Sequence, residues 1–538
     1  MSHIYSKSTV SNGVLLARAY EEILTGSSSN TYVGLGKSSE WENGEVTLGN
    51  QSIEEFNLTF RNLLVLKKIY ASDVNLVVPD IRWQEGGTYD QFNSDEDMYS
   101  HINKVELVGR IDYTAGSNVI TGNTLSTAFT SDLSIGDIIE FPALTEQENY
   151  IRKEIVYITN NYHAIINTSL SSSFTDNTIH RIDSTYPRYA KRFYVRNRED
   201  QVFLCLFNNG GTPSNTEPVF TSPYSTTNII DDTPDGYVWR YLYTVPLGLA
   251  EKFFYTDRED VRWVPVTTDN DIVSTVLDGS IEHVRIINSG TLYNSNTPSS
   301  SADIITVNGD GENASFTAVV ESSVSNDNKT VISNLLTANI GSGYTYATIT
   351  AAGGDGSAEF KALISPPDGF GYDPAKDLGA KFLGISVEFS GTVSDTLPVS
   401  TSIGATQFRQ ACIVANPKYS ANSQLVNLSA VSMTANISVS YIETPSIGDD
   451  FLIDGEVVGT VTGFISGDSP TILINNLTRS LQNNDVFTIG TSSAGGLISN
   501  INYLPPIKRS GDILYVENFD VVARDLEQVE VIKLILKF

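Results

Sequence analysis

The sequence is poor in cysteine and in basic residues, and both shortages exclude classes of protein. Only two of the 538 residues are cysteines, Cys205 and Cys412, so a disulfide framework is excluded and folding in a reducing cytosol is expected. Lysine and arginine total 34 against 63 aspartates and glutamates, which gives a formal charge of −29. We therefore expect neither a nucleic-acid partner nor an anionic membrane partner, because both need a basic surface.

Long apolar runs are also lacking. No run reaches the ~18 residues of a membrane-spanning helix, and the start, MSHIYSKSTVSNG, has no apolar signal-peptide stretch. Hydrophobic residues nevertheless make up 40% of the chain and aromatic residues 10%, so the chain can build real cores. At about 150 residues per domain, the length corresponds to three or four domains.

Short apolar alternations separated by Gly, Asn, Asp and Ser predict a mainly β fold. Clear strand patterns lie at 449–461, 471–474 and 529–538, and the last of these is predicted to be buried. A helix is predicted near the N-terminus, where Asn12 is a candidate cap, residues 14–24 carry a broad apolar face and Gly26 ends the pattern. A second helix is considered over 52–69, although strand-like residues are scattered through it.

Three stretches differ in composition from the rest, namely 114–182, 287–364 and 432–499. The middle stretch contains a repeat, with ITVNGDGENASFTAVV at 305–320 and ITAAGGDGSAEFKALI at 349–364, each after a Ser-Gly-tyrosine turn. Two copies are too few for a solenoid, so we predict two packed hairpins in one small β domain. The outer stretches share SIGD followed by apolar residues, and we predict small barrels or sandwiches docked on a larger body.

The segment GLGKSS at 34–39 resembles the end of a phosphate-binding loop. The full motif needs a glycine five residues before the Gly-Lys pair, and that position is Thr31. The loop should also open a helix, but Trp41 and a turn sequence follow. We therefore expect a strand over 31–35 that runs into a turn, and no binding of ATP.

Metal and nucleophile patterns are weak. NGDGE at 308–312 and GGDG at 353–356 hint at calcium loops but lack the twelve-residue ligand spacing, so hairpin turns are favoured. No two of the five histidines are closer than 17 residues, and there is neither an HExxH nor a GxSxG motif. Both cysteines lie in apolar strand patterns, which favours buried inert thiols. We expect no metal and no cofactor.

A catalytic pair of acidic residues can be neither identified nor excluded from composition, because the chain contains 63 aspartates and glutamates. The densest acidic cluster, DDTPDG at 231–236, is also the composition of a sharp turn, and the turn is the favoured interpretation. Nothing singles out two carboxylates for glycoside hydrolysis. We therefore predict that the chain is not an enzyme.

Four islands of sequence resemble the baseplate wedge subunit of T-even-type contractile-tailed phages, the product of gene 8. The first runs from 6 to 41, ends in TYVGLGKSSEW, and continues with VPDIRWQEGGTY at 78–89. The most specific island is DGYVWRYLYTVP at 235–246, and FRQACIVANP at 408–417 and the terminal segment 510–538 complete the series. The family-motif residues are Trp41, Trp83, Asp235, Gly236, Tyr237, Trp239, Phe408, Arg409, Asn416, Pro417, Tyr515, Glu517 and Asn518.

The resemblance implies a layered β-sandwich core with a few helices, assembled as a homodimer. It implies a structural role in the virion tail baseplate, made in the host cytoplasm, where the subunit joins other wedge proteins and takes part in assembly and host-triggered rearrangement. Tail-fibre or spike attachment proteins are further candidate partners. The resemblance implies neither catalysis nor a cofactor.

The chain is longer than the T-even subunit, and the excess corresponds to the three unusual stretches. We therefore predict a single discontinuous core interrupted by three inserted β modules. The core parts are 1–113, 183–283, 381–430 and 500–538, and the inserted modules are 114–182, 284–380, which contains the repeat, and 431–499.

Two other functions remain open. A non-enzymatic virion adhesin that binds glycans or a receptor would use the insertions as its binding surface, and a fibre of this kind should be a trimer. A polysaccharide-degrading β-helix would need many regular short-period coils, whereas the sequence holds one repeated pair.

Overall fold

A computed structural model describes most of the chain. The described residues are 12–26, 29–38, 40–41, 53–92, 104–107, 109–123, 127–133, 138–141, 151–166, 169, 173–177, 179–182, 192–221, 228–231, 233–254, 263–293, 304–323, 329–389, 406–419, 423–440, 443–490, 495–506, 510–524 and 529–538. Their secondary structure is mainly β, which confirms the predicted fold class.

Helices are short in the described residues. They are α1 (Asn12–Thr25), α2 (Ile53–Asn62), α3 (Phe129–Asp132), α4 (Leu247–Phe253), α5 (Asn270–Val273) and α6 (Pro374–Asp377). The predicted N-terminal helix is confirmed, but its expected apolar face is divided: Val14, Ala17 and Leu24 are buried, whereas Leu16 and Ile23 are more than half exposed. The second predicted helix ends at Asn62, because the apolar run after it forms a buried strand.

Strands occur throughout the described ranges. They are β1 (Thr31–Gly36), β2 (Leu63–Lys68), β3 (Val74–Pro79), β4 (Lys104–Glu106), β5 (Ile111–Tyr113), β6 (Val119–Gly122), β7 (Ile138–Phe141), β8 (Ile151–Asn160), β9 (His163–Ile166), β10 (Phe174–Asn177), β11 (His180–Ile182), β12 (Tyr194–Arg196), β13 (Gln201–Phe207), β14 (Ile229–Ile230), β15 (Val238–Thr244), β16 (Trp263–Pro265), β17 (Ile281–Asn288), β18 (Ile305–Gly309), β19 (Glu312–Ser323), β20 (Lys329–Ser342), β21 (Ala347–Ala351), β22 (Glu359–Ile364), β23 (Phe382–Phe389), β24 (Thr406–Ala415), β25 (Ala430–Ser432), β26 (Ala435–Val439), β27 (Asp450–Ile453), β28 (Glu456–Ile465), β29 (Thr471–Asn475), β30 (Val486–Ile489), β31 (Gly495–Tyr503), β32 (Asp512–Arg524) and β33 (Glu530–Lys537).

The chain divides into two compact units. Unit 1 comprises Met1–Val14 and Val77–Ala380, and unit 2 comprises Leu15–Leu76 and Lys381–Phe538. The four predicted core parts do not fall in one unit, since 183–283 belongs to unit 1 and both 381–430 and 500–538 belong to unit 2. Unit 2 combines segments from both ends of the chain, and the predicted core parts are therefore divided between two compact bodies.

The first part of unit 1 is an eight-stranded sheet in the order β10-β5-β6-β9-β8-β7-β11-β4. Its core is apolar and includes Ile120, Phe129, Phe141 and Ile155. Strands β4 and β5 belong to this sheet, although they precede the expected module start at 114. The pairing of β4 with the distant β11 therefore extends the module toward the N-terminus.

The second part of unit 1 is a four-stranded sheet in the order β12-β13-β15-β14. Strands β13 and β15 pair antiparallel from Gln201↔Thr244 to Phe207↔Val238. Both strands are buried along nearly their whole length, which explains their continuous apolar and aromatic sequences.

The repeat of unit 1 forms nested pairs rather than two separate hairpins. Strand β17 pairs with β22, β18 with β21, and β19 with β20, so each pair combines one strand from each half of the segment. The pairs share one core, and that core includes Ile281 and Val284 of β17. The prediction of one hairpin per repeat is wrong, because neither half provides pairing partners for all of its own strands.

Unit 2 contains a five-stranded sheet in the order β25-β2-β1-β24-β32, together with the pair β23–β33. Leu534 and Leu536 of β33 are buried, as predicted for the C-terminal strand. Val529 and Val531 are about half exposed at 51% and 50%. The prediction is wrong for these two valines, because alternate residues of a strand face opposite sides.

A closed barrel completes unit 2, with strand order β26-β29-β28-β27-β30-β31. Its core includes Ile437, Phe451, Ile472 and Phe487, and the two phenylalanine rings stack at 4.8 Å. Strand β31 runs on to Tyr503, beyond the expected module end at 499. The predicted small barrel is therefore present, with its last strand extending past the expected end.

Candidate functional site

The most specific family-motif segment, 235–246, comprises strand β15 of unit 1 and the residues on either side of it. Tyr237, Trp239, Tyr241 and Tyr243 are all buried, and so are the side chains between them. The Tyr237 and Trp239 rings stack at 5.4 Å with an interplanar angle of 12°, and the Tyr89 ring meets Trp239 edge-on at 5.5 Å. Both faces of this strand are therefore buried in the core.

Asp235 anchors the turn that leads into β15. Its Oδ2 accepts hydrogen bonds from Ser214 Oγ at 3.0 Å and from the Asn215 N–H at 2.8 Å. The N–H groups of Thr216 and Tyr237 also donate to this carboxylate, at 2.9 and 3.2 Å. Burial acts to raise the pKa of Asp235, but the hydrogen bonds outweigh it and lower the pKa below its usual value.

The same turn accounts for the glycine at position 236 and for the hydrogen bond of Trp83. Gly236 has φ +76°, and a Cβ at this position would lie 2.8 Å from Asn209 Nδ2, so the turn requires glycine. Trp83 is buried, and its Nε1–H donates to Ser214 Oγ at 3.0 Å. Ser214 therefore links the Trp83 indole to the Asp235 carboxylate. The segments around 83 and 214 and the turn at 235 form one hydrogen-bonded group.

A buried ion pair lies on the same strand. Arg240 Nη1 donates to Glu282 Oε2 at 2.8 Å, and the two side chains are only 2% and 1% exposed. Ser280 Oγ donates to Glu282 Oε1 at 2.7 Å, and Arg240 Nη2 donates to the Phe370 carbonyl at 2.9 Å. Burial raises the pKa of Glu282, although Arg240 and Ser280 oppose it. The pair ties β17 of the repeat to β15.

Two further charged groups of unit 1 were not singled out by sequence reasoning. Arg196 bonds both oxygens of Asp80 at 2.8 Å and also donates to Asp200 at 2.7 Å. Asp377 is buried and accepts the Gly371 N–H at 2.7 Å, and burial raises its pKa to about 7. The only available signal was a charge in or beside an apolar strand pattern, which does not identify a partner.

In unit 2, the motif residues Trp41, Phe408 and Arg409 fix the segment that follows β1. Trp41 Nε1–H donates to the Phe519 carbonyl at 3.1 Å, and the Phe408 ring meets the Phe519 ring edge-on at 5.9 Å. Arg409 Nη1 donates to the Ser38 carbonyl at 2.7 Å. These contacts hold the chain after β1 against β24 and β32.

The remaining motif residues lie on β32 or directly after β24. Asn518 Oδ1 accepts from Gln410 Nε2 at 2.7 Å, and the Tyr515 hydroxyl donates to the exposed Glu517 at 2.9 Å. Burial, and then the Glu517 charge, raise the pKa of Tyr515. The list is completed by Asn416, whose backbone is left-handed at φ +54°, and by Pro417, which is buried.

The phosphate-loop resemblance at 34–39 has a structural explanation. Gly34 lies inside β1, where a Cβ would come within 2.7 Å of Leu63 and 2.8 Å of the Cys412 sulfur. The glycine therefore allows close strand packing, and the predicted strand is confirmed as β1. Lys37 follows the strand with a left-handed backbone at φ +59°, and its Nζ lies 4.6 Å from the centroid of the Trp41 ring.

The two aspartates of the repeat hold turns. Asp310 accepts from the N–H and hydroxyl of Thr345, and Asp355 accepts from the N–H and hydroxyl of Thr291. Side-chain hydrogen bonds, from Thr345 in one case and from Ser357 and then Thr291 in the other, lower both pKa values, that of Asp310 to about 2. Each aspartate thus binds a threonine in the other half of the repeat. The prediction of hairpin turns at these Asp-Gly pairs is wrong, because the strands on either side of each pair are bonded to other strands.

The chemistry offered by these groups is structural. Both cysteines are free and buried, and burial raises both thiol pKa values, that of Cys412 to about 12. Within the described ranges, no group of three or more His, Cys, Asp or Glu side chains could hold a metal ion. Among the helices of the same residues, none is long and apolar enough to cross a membrane.

Comparison with known proteins does not identify the chain. No protein-family model matches the sequence, and no curated protein matches it either. The resemblance to the phage baseplate wedge subunit therefore stays a prediction, carried by the motif residues described above.

Proposed function

We propose that this chain is a structural subunit of the baseplate wedge of a contractile-tailed phage, that it acts as a homodimer and that it has no catalytic activity. In this role it joins neighbouring wedge proteins, takes part in baseplate assembly and changes arrangement on host contact. Its localisation would be the virion tail, after synthesis in the host cytoplasm.

The observation that carries the proposal is the use of the motif residues inside the protein. Asp235 accepts four hydrogen bonds from protein donors, and the Tyr237 hydroxyl donates to the Thr212 carbonyl at 2.6 Å. Trp239 is fully buried between other aromatic rings. Residues used in this way stabilise a scaffold, and this favours a protein that acts through its surface.

The charge of −29 supports the same proposal in a different way. Acidic proteins repel one another, so wedge neighbours that bind this chain should present basic surfaces at the contacts. Assembly with such neighbours should weaken as salt screens the attraction, since the Debye length falls from about 10 Å at 0.1 M to about 3 Å at 1 M.

Sedimentation equilibrium of the purified chain provides the first test. A wedge subunit should sediment as two copies of the 58.7 kDa chain, whereas a fibre-type adhesin should sediment as three. Gold-labelled antibodies against the purified chain provide the second test, and they should mark the baseplate in electron micrographs of the virion. A trimer, or label confined to fibres, would refute the wedge assignment.

A further inference from the structure

One outer face of the barrel in unit 2 carries a strip of uncharged polar side chains. Strands β26 and β31 pair antiparallel, with Asn436 opposite Tyr503 and Ile437 opposite Ile501, so Asn502 is an extra residue on β31. A second register shift separates the pair Ser438↔Asn500 from the pair Val439↔Ile498. Bulges of this kind interrupt regular alternation and re-aim side chains, and they are common beside binding sites.

The strip consists of Asn436, Ser438, Asn500 and Asn502, which are linked by hydrogen bonds. Asn502 Nδ2 donates to Asn436 Oδ1 and to Ser438 Oγ, both at 2.9 Å. Asn500 Nδ2 donates to Asn502 Oδ1 at 2.7 Å. This network orders four surface side chains in advance, so these side chains would lose less conformational entropy when a ligand binds.

Tyr503 adds an aromatic ring to the same face. It lies directly opposite Asn436, and residues directly opposite in an antiparallel pair share a face. Its hydroxyl donates to the Ser432 carbonyl at 3.0 Å, which fixes the ring at the end of the strip. An ordered ring beside amide groups combines an apolar surface with donors and acceptors.

We propose that this amide strip binds a neutral saccharide. A sugar hydroxyl both donates and accepts hydrogen bonds, and asparagine side chains offer both functions in one group. The strip is uncharged although the chain carries −29, so a neutral ligand meets no direct ionic repulsion there, whereas an anionic polysaccharide is repelled by the protein as a whole. The proposal goes beyond the wedge assignment and does not depend on it.

Affinity electrophoresis of the full chain tests this site. Native gels would contain dextran, galactomannan or soluble starch as neutral probes, and alginate as the anionic probe. We expect at least one neutral polysaccharide to retard the wild-type chain, and alginate to leave its mobility unchanged. The double variant Asn436→Ala/Asn502→Ala should weaken the apparent affinity at least fivefold, because it removes the centre of the network.

Asn308→Ala is the matched control, since Asn308 is an exposed strand asparagine of the repeat in unit 1. It should keep wild-type retardation. The single variant Asn500→Ser provides a milder change if the double variant melts at a lower temperature than the wild type. The proposal is overturned if no neutral probe retards the wild type, if alginate alone does so, or if the strip variants bind as well as the control.

Discussion

Substitution of Trp239 by alanine tests whether the aromatic centre of unit 1 stabilises the fold. The side chain of Trp239 is fully buried. Trp239 lies on β15, an inner strand of the four-stranded sheet, and is paired with Cys205 on one side and Ile230 on the other. Removal of a buried tryptophan costs about 3–5 kcal/mol through lost transfer energy and the cavity that remains. The Tyr237 and Tyr89 ring contacts add roughly 0.5–1.5 kcal/mol each, so we expect a loss at the upper end of that range.

Urea unfolding followed by tryptophan fluorescence measures this loss. Trp83 and Trp263 remain in unit 1 as probes after the substitution. With a denaturant slope of about 2–3 kcal/mol per molar, a loss of about 5 kcal/mol should lower the midpoint of the unit 1 transition by roughly 1.7–2.5 M. Leu247→Ala is the control, because Leu247 is 64% exposed, and it should shift the midpoint little. An unchanged Trp239→Ala midpoint would refute the packing role that we assign to the motif.

Three further predictions concern the charged core and the repeat of unit 1. Glu282→Gln should destabilise unit 1 by about 3–5 kcal/mol in urea unfolding, because it leaves Arg240 buried without its charged partner, whereas Arg240→Met/Glu282→Leu should recover most of that loss. Asp377 has a folded-state pKa of about 7 against 3.8 for an ordinary aspartate, so its protonation stabilises the fold fully below about pH 4, and this contribution is lost as the pH rises to 7. Asp377→Asn should therefore flatten the fall in melting temperature between pH 4 and pH 7. Replacement of 289–358 by a Gly/Ser linker should give folded, soluble protein, because β17 keeps its partner β22, whereas replacement of 287–364 removes β22 and should give insoluble protein.

Each of these predictions has an outcome that contradicts it. Equal stability of Glu282→Gln and the wild type would show that the Arg240 pair contributes little. A pH profile unchanged by Asp377→Asn would mean that another group causes the fall, and Asp368→Asn, a change at an exposed turn residue, is the matched control. Equal solubility of the two linker variants would show that β17 does not need β22.

Local sequence signals predicted many elements correctly. The helix over Asn12–Thr25, strand β1 and the C-terminal strand follow from apolar periodicity and from glycine and asparagine punctuation. The hairpin turns predicted at the two Asp-Gly pairs were wrong, because β18 pairs with β21 and not with β19, and β22 pairs with β17 and not with β21. The segment after Asn62 was harder, because an apolar run such as LLVL fits either a helix or a buried strand until its neighbours are known.

The candidate site was only partly predictable, because local sequence does not identify partners that are distant along the chain. The resemblance singled out the island at 235–246, but Asp235 and Trp83 both bond Ser214, which lies about twenty residues from the first and more than a hundred from the second. The amide strip of the barrel gave no sequence signal at all. It arises from two shifts in strand register, which pairing across the barrel decides and local sequence does not.

The sequence alone determined the mainly β character, the acidic surface and the buried state of the two cysteines, because composition and short-range periodicity control these properties. Only the tertiary structure decided that the strands of the repeat pair across its two halves, that Arg240 forms an ion pair with Glu282, and that the chain forms two compact units. Antiparallel pairing depends on which distant segments bury their apolar faces together. The pairing of strands therefore depends on the fold as a whole, since the sequence pattern of each strand is compatible with many partners.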